Sequence, residues 1–296
     1  MENEKKKRDR RPRPNDFKKS PRAFEERAST PTRERDGIHG EYENGAVIGR
    51  NAVRELLETE RSVDKLLVQR GERKGSIVVL VAKAIERGIP VIETDKSKLD
   101  AIAGYAPHQG VIAFAAEKDY CTVEDILNIA AERGEAPLIV ICDGVTDPYN
   151  LGAIIRCAEC CGAHGLIIPK RRAAGLTPLV TKASAGAVEH LAIAKVANIA
   201  STVEMLKEKG VWTFAAEAGG TDLYQTDFKG ACALVLGSEG DGVSPLVRKT
   251  CDAVVSIPMY GKVNSFNVST AAAVFEEWLH VLLFREMLYS YKYSLY

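Results

Sequence analysis

Residues 138–161 read LIVICDGVTDPYNLGAIIRCAECC, which is an apolar run, a polar loop and then a segment with helical spacing. The run Leu138–Cys142 is typical of a strand that is buried on both faces of a parallel sheet. We predict a helix at Leu151–Cys161, with Asn150 as its cap and with Gly152 leaving the first turn open to a ligand. The stretch therefore predicts a strand–loop–helix unit of an α/β fold.

The rest of the C-terminal half repeats this alternation. Apolar runs predict strands at Gly165–Ile168, Leu191–Val196, Val211–Ala215, Ala233–Leu236 and Val254–Ile257. Helical spacing predicts helices at Leu179–Val188, Ile199–Lys209, Pro245–Lys249 and Ser269–Leu288. Strands that alternate with helices in this way favour one mostly parallel sheet with helices on its faces.

A smaller module with the same alternation precedes this half. Strands are predicted at Ala46–Gly49, Val63–Val68, Pro90–Thr94 and Val111–Ala115, and helices at Asn51–Glu58, Ser76–Arg87, Lys96–Ala103 and Val123–Arg133. We predict a basic tail over residues 1–40, a small α/β domain over 41–118, a linker over 119–135 and a larger α/β domain over 136–296.

Charge is unevenly spread along the chain. The 296 residues contain 40 Lys/Arg and 40 Asp/Glu, yet residues 1–36 alone carry thirteen Lys/Arg against eight Asp/Glu. This tail has almost nothing with which to form a core, and we expect it to be disordered. It is either a solubilising segment or an arm that contacts a polyanion such as RNA, and we favour the arm.

Cysteine usage and hydropathy bear on the compartment. Seven cysteines, an odd number without an apolar leader after Met1, predict free thiols and a cytoplasmic protein. The longest apolar stretch, Val274–Leu288, contains four charged residues, so we expect no membrane insertion. Cys157, Cys160 and Cys161 fall within one predicted helix and no second Cys/His pair has ligand spacing, so we predict no metal site.

Ligands of open α/β sheets bind beyond the carboxyl ends of the strands, and three loops there stand out. The first loop leads to Asn150 and Arg156, whose guanidinium we expect to lean back over the open turn at Gly152. Taken alone, Asn150 and Arg156 are also explained as an ordinary helix cap and a surface arginine. The basic sequence Lys170-Arg171-Arg172 also follows a strand, where it either contacts phosphates or forms a solvated loop.

The second and third loops are also polar and contain glycine. Residues 236–244 read LGSEGDGVS directly after an apolar strand, but the glycine spacing matches neither a dinucleotide fingerprint nor a Walker loop. Residues 257–269 read IPMYGKVNSFNVS and lead into a helix that Asn267 or Ser269 caps. A plain turn and close helix packing are the simple alternatives, but three such loops at the strand ends of one sheet favour a shared ligand site.

Three motifs in these loops resemble those of the SpoU-type (SPOUT/TrmH superfamily) RNA ribose 2′-O-methyltransferases. They are Asn150-x-Gly-x-x-x-Arg156, Leu-Gly-Ser-Glu239-Gly-Asp-Gly and Ile-Pro-Met-x-Gly-x-Val-x-Ser265-Phe-Asn267-Val-Ser. The resemblance covers residues 136–290. The front module, from Gly49-Arg-Asn-Ala-Val to His108-Gln-Gly-Val-Ile-Ala, resembles the small ribosomal-protein-like RNA-binding domain of the bacterial 23S ribosomal RNA guanosine 2′-O-methyltransferases.

The resemblance implies a fold, a cofactor and a set of site residues. The fold is an α/β SPOUT methyltransferase domain with a trefoil knot, preceded by the small α/β RNA-binding domain. The implied cofactor is S-adenosylmethionine, held by backbone groups at Gly237, Ile257 and Phe266, although the family usually has Leu where this chain has Phe266. The implied catalytic residues are Asn150, Arg156, Glu239, Ser265 and Asn267.

The resemblance also implies a substrate and an assembly. We expect methyl transfer to a ribose 2′-hydroxyl of RNA, most plausibly a guanosine of 23S ribosomal RNA, with no DNA as partner. Because an arginine titrates above about 12, we expect Arg156 to hold a phosphate rather than act as the base. The final helix from Trp278 to Leu288 is either a buried core helix or a homodimer interface, and we favour the interface. The alternatives are a transfer RNA ribose methyltransferase and a catalytically silent RNA-binding ribosome assembly factor.

Overall fold

The computed structural model describes residues 45–71, 75–104, 106–228 and 230–293, with side chains as far as residue 282. All of these residues belong to one compact unit. The basic tail over residues 1–40 and the predictions made for it lie outside the described residues.

The N-terminal part is a four-stranded sheet covered by helices on both faces. Its elements are β1 (Ala46–Ile48), α1 (Arg50–Glu58), β2 (Val63–Gln69), α2 (Ser76–Glu86), β3 (Val91–Thr94), α3 (Lys96–Ile102) and β4 (Val111–Ala115). The strand order is β1-β4-β2-β3, in which β4 runs antiparallel to both of its neighbours. Leu56 and Leu80 of α1 and α2 pack on one face, and Leu99 of α3 packs on the other.

The helix α4 (Val123–Arg133) connects this part to a six-stranded parallel sheet. The strands are β5 (Leu138–Asp143), β6 (Gly165–Pro169), β7 (Ile193–Val196), β8 (Trp212–Asp222), β9 (Cys232–Gly237) and β10 (Ala253–Ser256). The helices are α5 (Pro148–Cys160), α6 (Pro178–Ala183), α7 (Ile199–Glu208), α8 (Pro245–Thr250) and α9 (Val268–Tyr293). The α/β class and the parallel sheet predicted from the sequence are confirmed.

The strand order β10-β8-β9-β5-β6-β7 places the two halves of the sheet side by side at β9 and β5. Alternate residues of β5 enter different cores: Leu138 and Val140 pack with α5 and α9, whereas Ile139 and Ile141 pack with α4, α7 and α8. The last residues of β5 and β9, Asp143 and Gly237, are register partners. The loops that follow these two strands therefore leave the same edge of the sheet together.

The start of α5 differs from the prediction. The helix begins at Pro148, and Asp147 is its cap, because the Asp147 carboxylate accepts a hydrogen bond from the Asn150 backbone N–H at 2.8 Å. Asn150 is therefore the third residue of the helix rather than its cap. The sequence contained the correct signal, since an acidic residue followed by proline is a common helix start.

The prediction that Gly152 leaves its turn open to a ligand was wrong. Gly152 is buried, and a Cβ at this position would lie 2.4 Å from the Cβ of Ala183 on α6. The glycine thus allows α5 and α6 to pack closely. The predicted helix at Leu179–Val188 is also interrupted, because Ala185 and Gly186 take positive φ angles between α6 and a 3-10 turn at Ala187–Glu189.

A buried ion pair joins the two sheets. Arg61, which precedes β2, lies with its Nη1 2.6 Å from Oε1 of Glu189 in the 3-10 turn, and the Glu189 side chain is only 1% exposed. The Arg61 Nε donates a hydrogen bond to the Ala116 carbonyl at 2.6 Å, and Lys118 Nζ donates one to the Glu189 carbonyl at 3.1 Å. These bonds fix the N-terminal part against the turn between α6 and β7.

Candidate active site

Three side chains from distant parts of the chain meet at the edge formed by β5 and β9. Asn150 Nδ2 donates a hydrogen bond to Glu239 Oε1 at 2.5 Å, and Asn267 Nδ2 donates to the same oxygen at 2.6 Å. Asn267 Nδ2 also lies 3.1 Å from Asn150 Oδ1. The structure thus brings together one residue from each of the three predicted loops.

Each asparagine is held from its other side. The Asp147 cap fixes the first turn of α5, from which Asn150 projects. Asn267 Oδ1 accepts hydrogen bonds from the Ser269 backbone N–H at 2.9 Å and from the Ser269 hydroxyl at 2.6 Å, so Asn267 caps α9 as predicted. Capping uses the Asn267 oxygen and leaves the amide nitrogen for Glu239.

The loop after β9 presents Glu239 at its tip. Ser238 and Gly242 exchange two backbone hydrogen bonds, of 3.0 and 3.1 Å, which close the loop on itself. Gly240 and Gly242 take the left-handed φ angles of 95° and 69° that this turn needs. A Cβ on Gly237 would lie 2.0 Å from the Gly242 carbonyl carbon, so only glycine fits beneath the folded loop.

A first cavity, of 580 Å³, lies on one side of this loop. All three residues predicted to bind the cofactor line it, namely Gly237, Ile257 and Phe266, as do Ser265 and Asn267. The backbone of residues 257–267, which forms much of the wall, belongs to no helix or strand. Its polar groups are therefore available to a ligand.

A second cavity, of 680 Å³, lies on the other side of the loop. Ser238, Glu239, Asp241 and Gly242 line both cavities and form the wall between them. Asn150 lines the second cavity, so the Asn150–Glu239–Asn267 cluster sits where the two spaces adjoin.

Arg156 does not join the cluster. It lies on α5 with its side chain exposed, and it lines neither cavity. Within the part of the chain that the structure describes, no hydrogen bond or ion pair holds its guanidinium. The expected crevice at Gly152 does not exist, because α6 covers that turn.

Glu217 is a site residue that the sequence reasoning missed. It lies on β8 and lines the first cavity, and its Oε2 is 2.8 Å from Arg248 Nε. The predicted strand ended at Ala215, whereas β8 continues to Asp222. An acidic residue two positions after the apolar run, at a strand end of the same sheet, was the signal that could have identified it.

Three cysteines lie at the end of α5 and directly after it. Burial raises the pKa of Cys157 and of Cys160 above its ordinary value, and it raises the pKa of Cys161 to about 12. Each is a free cysteine. Among the described residues, no group of three or more His, Cys, Asp or Glu side chains is arranged to hold a metal ion.

Two known protein families match large parts of the chain. The SpoU rRNA methylase family matches residues 137–276, and a family described as the substrate-binding domain of RNA 2′-O ribose methyltransferases matches residues 46–121. A TrmH-family tRNA/rRNA methyltransferase of Bacillus subtilis, YacO, is 42% identical over 229 residues, which are 77% of this chain and 92% of that protein. The chain belongs to the SpoU family of RNA methyltransferases. A Staphylococcus aureus TrmH-family relative is also 42% identical, over 78% of this chain and 94% of its own length.

Solved structures share the fold of this SpoU-family chain. The SpoU methyltransferase AviRb from Streptomyces viridochromogenes, solved in complex with AdoMet, has a TM-score of 0.67 at 24% identity over 82% of this chain and 90% of its own. An RNA methyltransferase of the TrmH family from Porphyromonas gingivalis has a TM-score of 0.59 at 26% identity, covering 79% and 88%. The fold is thus the SPOUT fold with a substrate-binding domain in front, as predicted.

The family defines the type of reaction. The chain is an RNA methyltransferase that acts on the ribose 2′-oxygen. No helix among the described residues is long and apolar enough to cross a bilayer.

Proposed function

We propose that this enzyme transfers the methyl group of S-adenosylmethionine to the ribose 2′-hydroxyl of a guanosine in 23S ribosomal RNA, and that it acts as a homodimer. The observation that carries the proposal is the hydrogen-bonded cluster of Asn150, Glu239 and Asn267 on the wall of a cofactor-sized cavity.

The first cavity fits S-adenosylmethionine. Its volume of 580 Å³ lies within the range of about 300–1,000 Å³ that is usual for cofactor sites. We assign Gly237, Ile257 and Phe266 to backbone contacts with the cofactor. Glu217, which lines the same cavity and pairs with Arg248, can accept a hydrogen bond from the ammonium group of the cofactor through Oε1. When bound, S-adenosylmethionine supplies an electrophilic methyl group on a sulfonium.

Glu239 is the group best placed to receive the ribose. Its Oε1 already accepts two amide hydrogen bonds, whereas its Oε2 has no partner among the residues that the structure describes. The free oxygen can accept the hydrogen bond of a 2′-hydroxyl and direct the hydroxyl oxygen toward the first cavity. A 2′-hydroxyl is a poor nucleophile, so orientation of this kind contributes much of the rate. Ser265, which lines the same cavity, helps to position the loops.

Arg156 holds a phosphate next to the target ribose, and we assign this role to the site of the partner subunit. The assignment is supported by its exposure, by its position outside both cavities of its own chain and by the packing of α5 against α9. A guanidinium binds a phosphate in a bidentate manner and remains charged at neutral pH.

The reaction is tested with labelled cofactor. Purified protein is incubated with S-adenosylmethionine carrying a tritiated methyl group and with total RNA from cells that lack the enzyme. We expect an alkali-resistant 2′-O-methyl mark in large-subunit RNA, reduced at least a hundredfold by Arg156→Ala with unchanged thermal stability. Label on a base would refute the reaction type, and label on transfer RNA would select the second candidate.

A transfer RNA substrate is the second candidate because the curated relatives are named as tRNA/rRNA methyltransferases. The front domain, which matches a substrate-binding family over residues 46–121, favours the ribosomal substrate by its resemblance to ribosomal-protein-like domains.

A silent assembly factor is tested by calorimetric titration with S-adenosylmethionine, since absence of binding would favour that role over catalysis.

The dimer and the role of Arg156 are tested together. Analytical ultracentrifugation at micromolar concentration should give twice the monomer mass, and a monomer would refute the assembly. Mixed dimers of an Arg156→Ala subunit and a Glu239→Gln subunit should keep about half of the wild-type activity if Arg156 serves the partner's site, because one complete site remains. If both residues act within one subunit, every site in the mixed dimer lacks one of them and activity is lost.

A further inference from the structure

The second cavity adjoins the site of methyl transfer but has no part in the cofactor site. It lies across the loop 238–242 from the first cavity, and Glu239 lines both. A nucleotide whose 2′-hydroxyl reaches Glu239 has to occupy the side that the cofactor leaves open. The chemistry of this second cavity therefore bears on which nucleotide is accepted.

Most anionic groups of the second cavity are already engaged within the protein. Asp143 Oδ2 accepts the Ser244 backbone N–H at 2.8 Å, Asp147 Oδ1 accepts that of Asn150, and Glu239 Oε1 accepts two amides. Asp241 is exposed, and no hydrogen bond or ion pair ties it to another described residue. One free carboxylate thus faces the cavity.

Two free cations line the same cavity. Arg171 and Arg172 belong to the loop after β6 and are exposed, and no ion pair engages them in the described part of the chain. Lys170, the first residue of the same basic sequence, does not line the cavity. The structure therefore separates this basic sequence into two residues that face the cavity and one that does not.

The loop that contains Arg171 and Arg172 is fixed to the loop between β5 and α5. The Ala174 backbone N–H donates to the Val145 carbonyl at 3.0 Å, and a Cβ on Gly144 would lie 3.9 Å from the Arg172 carbonyl oxygen. Arg172 itself takes a φ of 60°, a conformation that L residues with a side chain seldom adopt and that clusters at functional sites. The backbone thus holds both arginines beside the loop that leads to Asn150.

We propose that the second cavity is the subsite for the target nucleotide, with its 5′-phosphate bound by Arg171 and Arg172, apart from the phosphate assigned to Arg156, and with the N–H edge of its base bound by Asp241. Guanine offers the two adjacent donors, N1–H and the 2-amino group, that match two carboxylate oxygens. The N-terminal residues of α7, Ile199 and Ala200, line the cavity and add a favourable field for an anion. The inference rests on the proposed function and supplies a physical basis for its choice of guanosine.

Mononucleotides test the subsite independently of methyl transfer. Binding of guanosine 5′-monophosphate, inosine 5′-monophosphate and guanosine to the protein saturated with S-adenosylmethionine is measured by calorimetry or by NMR saturation transfer. We expect wild-type protein to bind the guanylate at least fivefold more tightly than either analogue, because inosine lacks the 2-amino group and guanosine lacks the phosphate. Equal binding of all three, or no binding, would overturn the subsite.

Variants assign the two contacts. Arg171→Gln/Arg172→Gln should remove the preference for guanylate over guanosine, and Asp241→Asn should remove the preference for guanylate over inosinate. Lys170→Gln, a change of one charge on the same loop, should leave both preferences intact. Because Asp241 also lines the first cavity, the dissociation constant for S-adenosylmethionine is measured for each variant and should stay within twofold. A preference that survives its variant would overturn that contact.

An RNA assay separates this inference from the proposed function. With an unmodified 23S ribosomal RNA transcript, the double arginine variant should raise the KM for RNA at least tenfold with less than a threefold change in kcat. It should also reduce the slope of log binding constant against log salt by about 0.7, since the two arginines hold one phosphate and each phosphate contact to single-stranded RNA contributes about 0.7. If wild-type protein methylates no guanosine of this transcript, the proposed substrate is wrong, and the mononucleotide results still decide the subsite.

Discussion

Removing Arg61 should destabilise the enzyme far more than removing an ordinary surface arginine. The Glu189 side chain is 1% exposed and Arg61 is 15% exposed, with 2.6 Å between their charged atoms. Arg61→Met leaves a carboxylate buried without its partner, which costs about 3–5 kcal/mol of the free energy of unfolding. Burial lowers the pKa of Lys118 while the charge of Glu189 raises it, so Lys118 lies close enough to offset part of this loss. We therefore expect Arg61→Met to lower the free energy of unfolding by about 3 kcal/mol, near the lower end of that range.

A double-mutant cycle with urea denaturation measures the interaction free energy of Arg61 and Glu189. Replacing both residues, as in Arg61→Met/Glu189→Met, should cost only about 1 kcal/mol, because neither member of the pair is left buried without the other and the main loss is the bond from Arg61 Nε to the Ala116 carbonyl. Arg54→Met is the matched control, since Arg54 is 54% exposed and pairs with the adjacent Glu55. Its expected cost is below about 1 kcal/mol. Additive effects of the two single variants would refute the reasoning.

Three further variants test packing, the cofactor site and pH dependence. Gly152→Ala places a Cβ 2.4 Å from Ala183 and should lower the free energy of unfolding by about 1–3 kcal/mol, whereas Gly261→Ala, with open space around it, should change it little. Gly237→Ala forces the loop 238–242 apart and should weaken S-adenosylmethionine binding at least tenfold by calorimetry; unchanged affinity would contradict the assigned contact. Burial raises the pKa of Glu276 well above its ordinary value of 4.5, so its stabilising contribution is complete below that pH and is lost as the pH rises toward the folded-state pKa. Glu276→Gln should therefore gain stability relative to wild type as the pH rises above about 5, by up to about 1.4 kcal/mol per pH unit, and a difference independent of pH would be evidence against the buried acid.

The strands and most helices could be predicted because apolar spacing is a local property of the sequence. β5 and β9 are almost continuous apolar runs, and the structure places each within one residue of the predicted bounds. The meeting of the three loops could also be predicted, since parallel strands deliver their carboxyl ends to one edge. The resemblance to a known family then identified residues that this rule alone cannot rank.

Other features depend on contacts between distant residues and were beyond such reasoning. Gly152 was taken for a ligand-binding position because the sequence does not indicate that Ala183 packs against it. Glu217 was missed because pairing with β10 carries β8 well past its apolar residues. The sequence left open whether Arg156 serves the site of its own chain or that of a partner, and the structure places its exposed side chain outside both cavities.

Asn267 forms hydrogen bonds through both ends of its side-chain amide, and these bonds connect the start of α9 to Glu239. Its side-chain oxygen caps α9, and its side-chain nitrogen donates a hydrogen bond to the Glu239 carboxylate. A rotation of the helix by even a fraction of a turn would therefore displace Glu239. A shift in the packing of this helix would therefore move the Glu239 carboxylate without any movement of a whole domain. A chain cut before Val268 would lose this link together with the core side chains of Phe275 and Leu279.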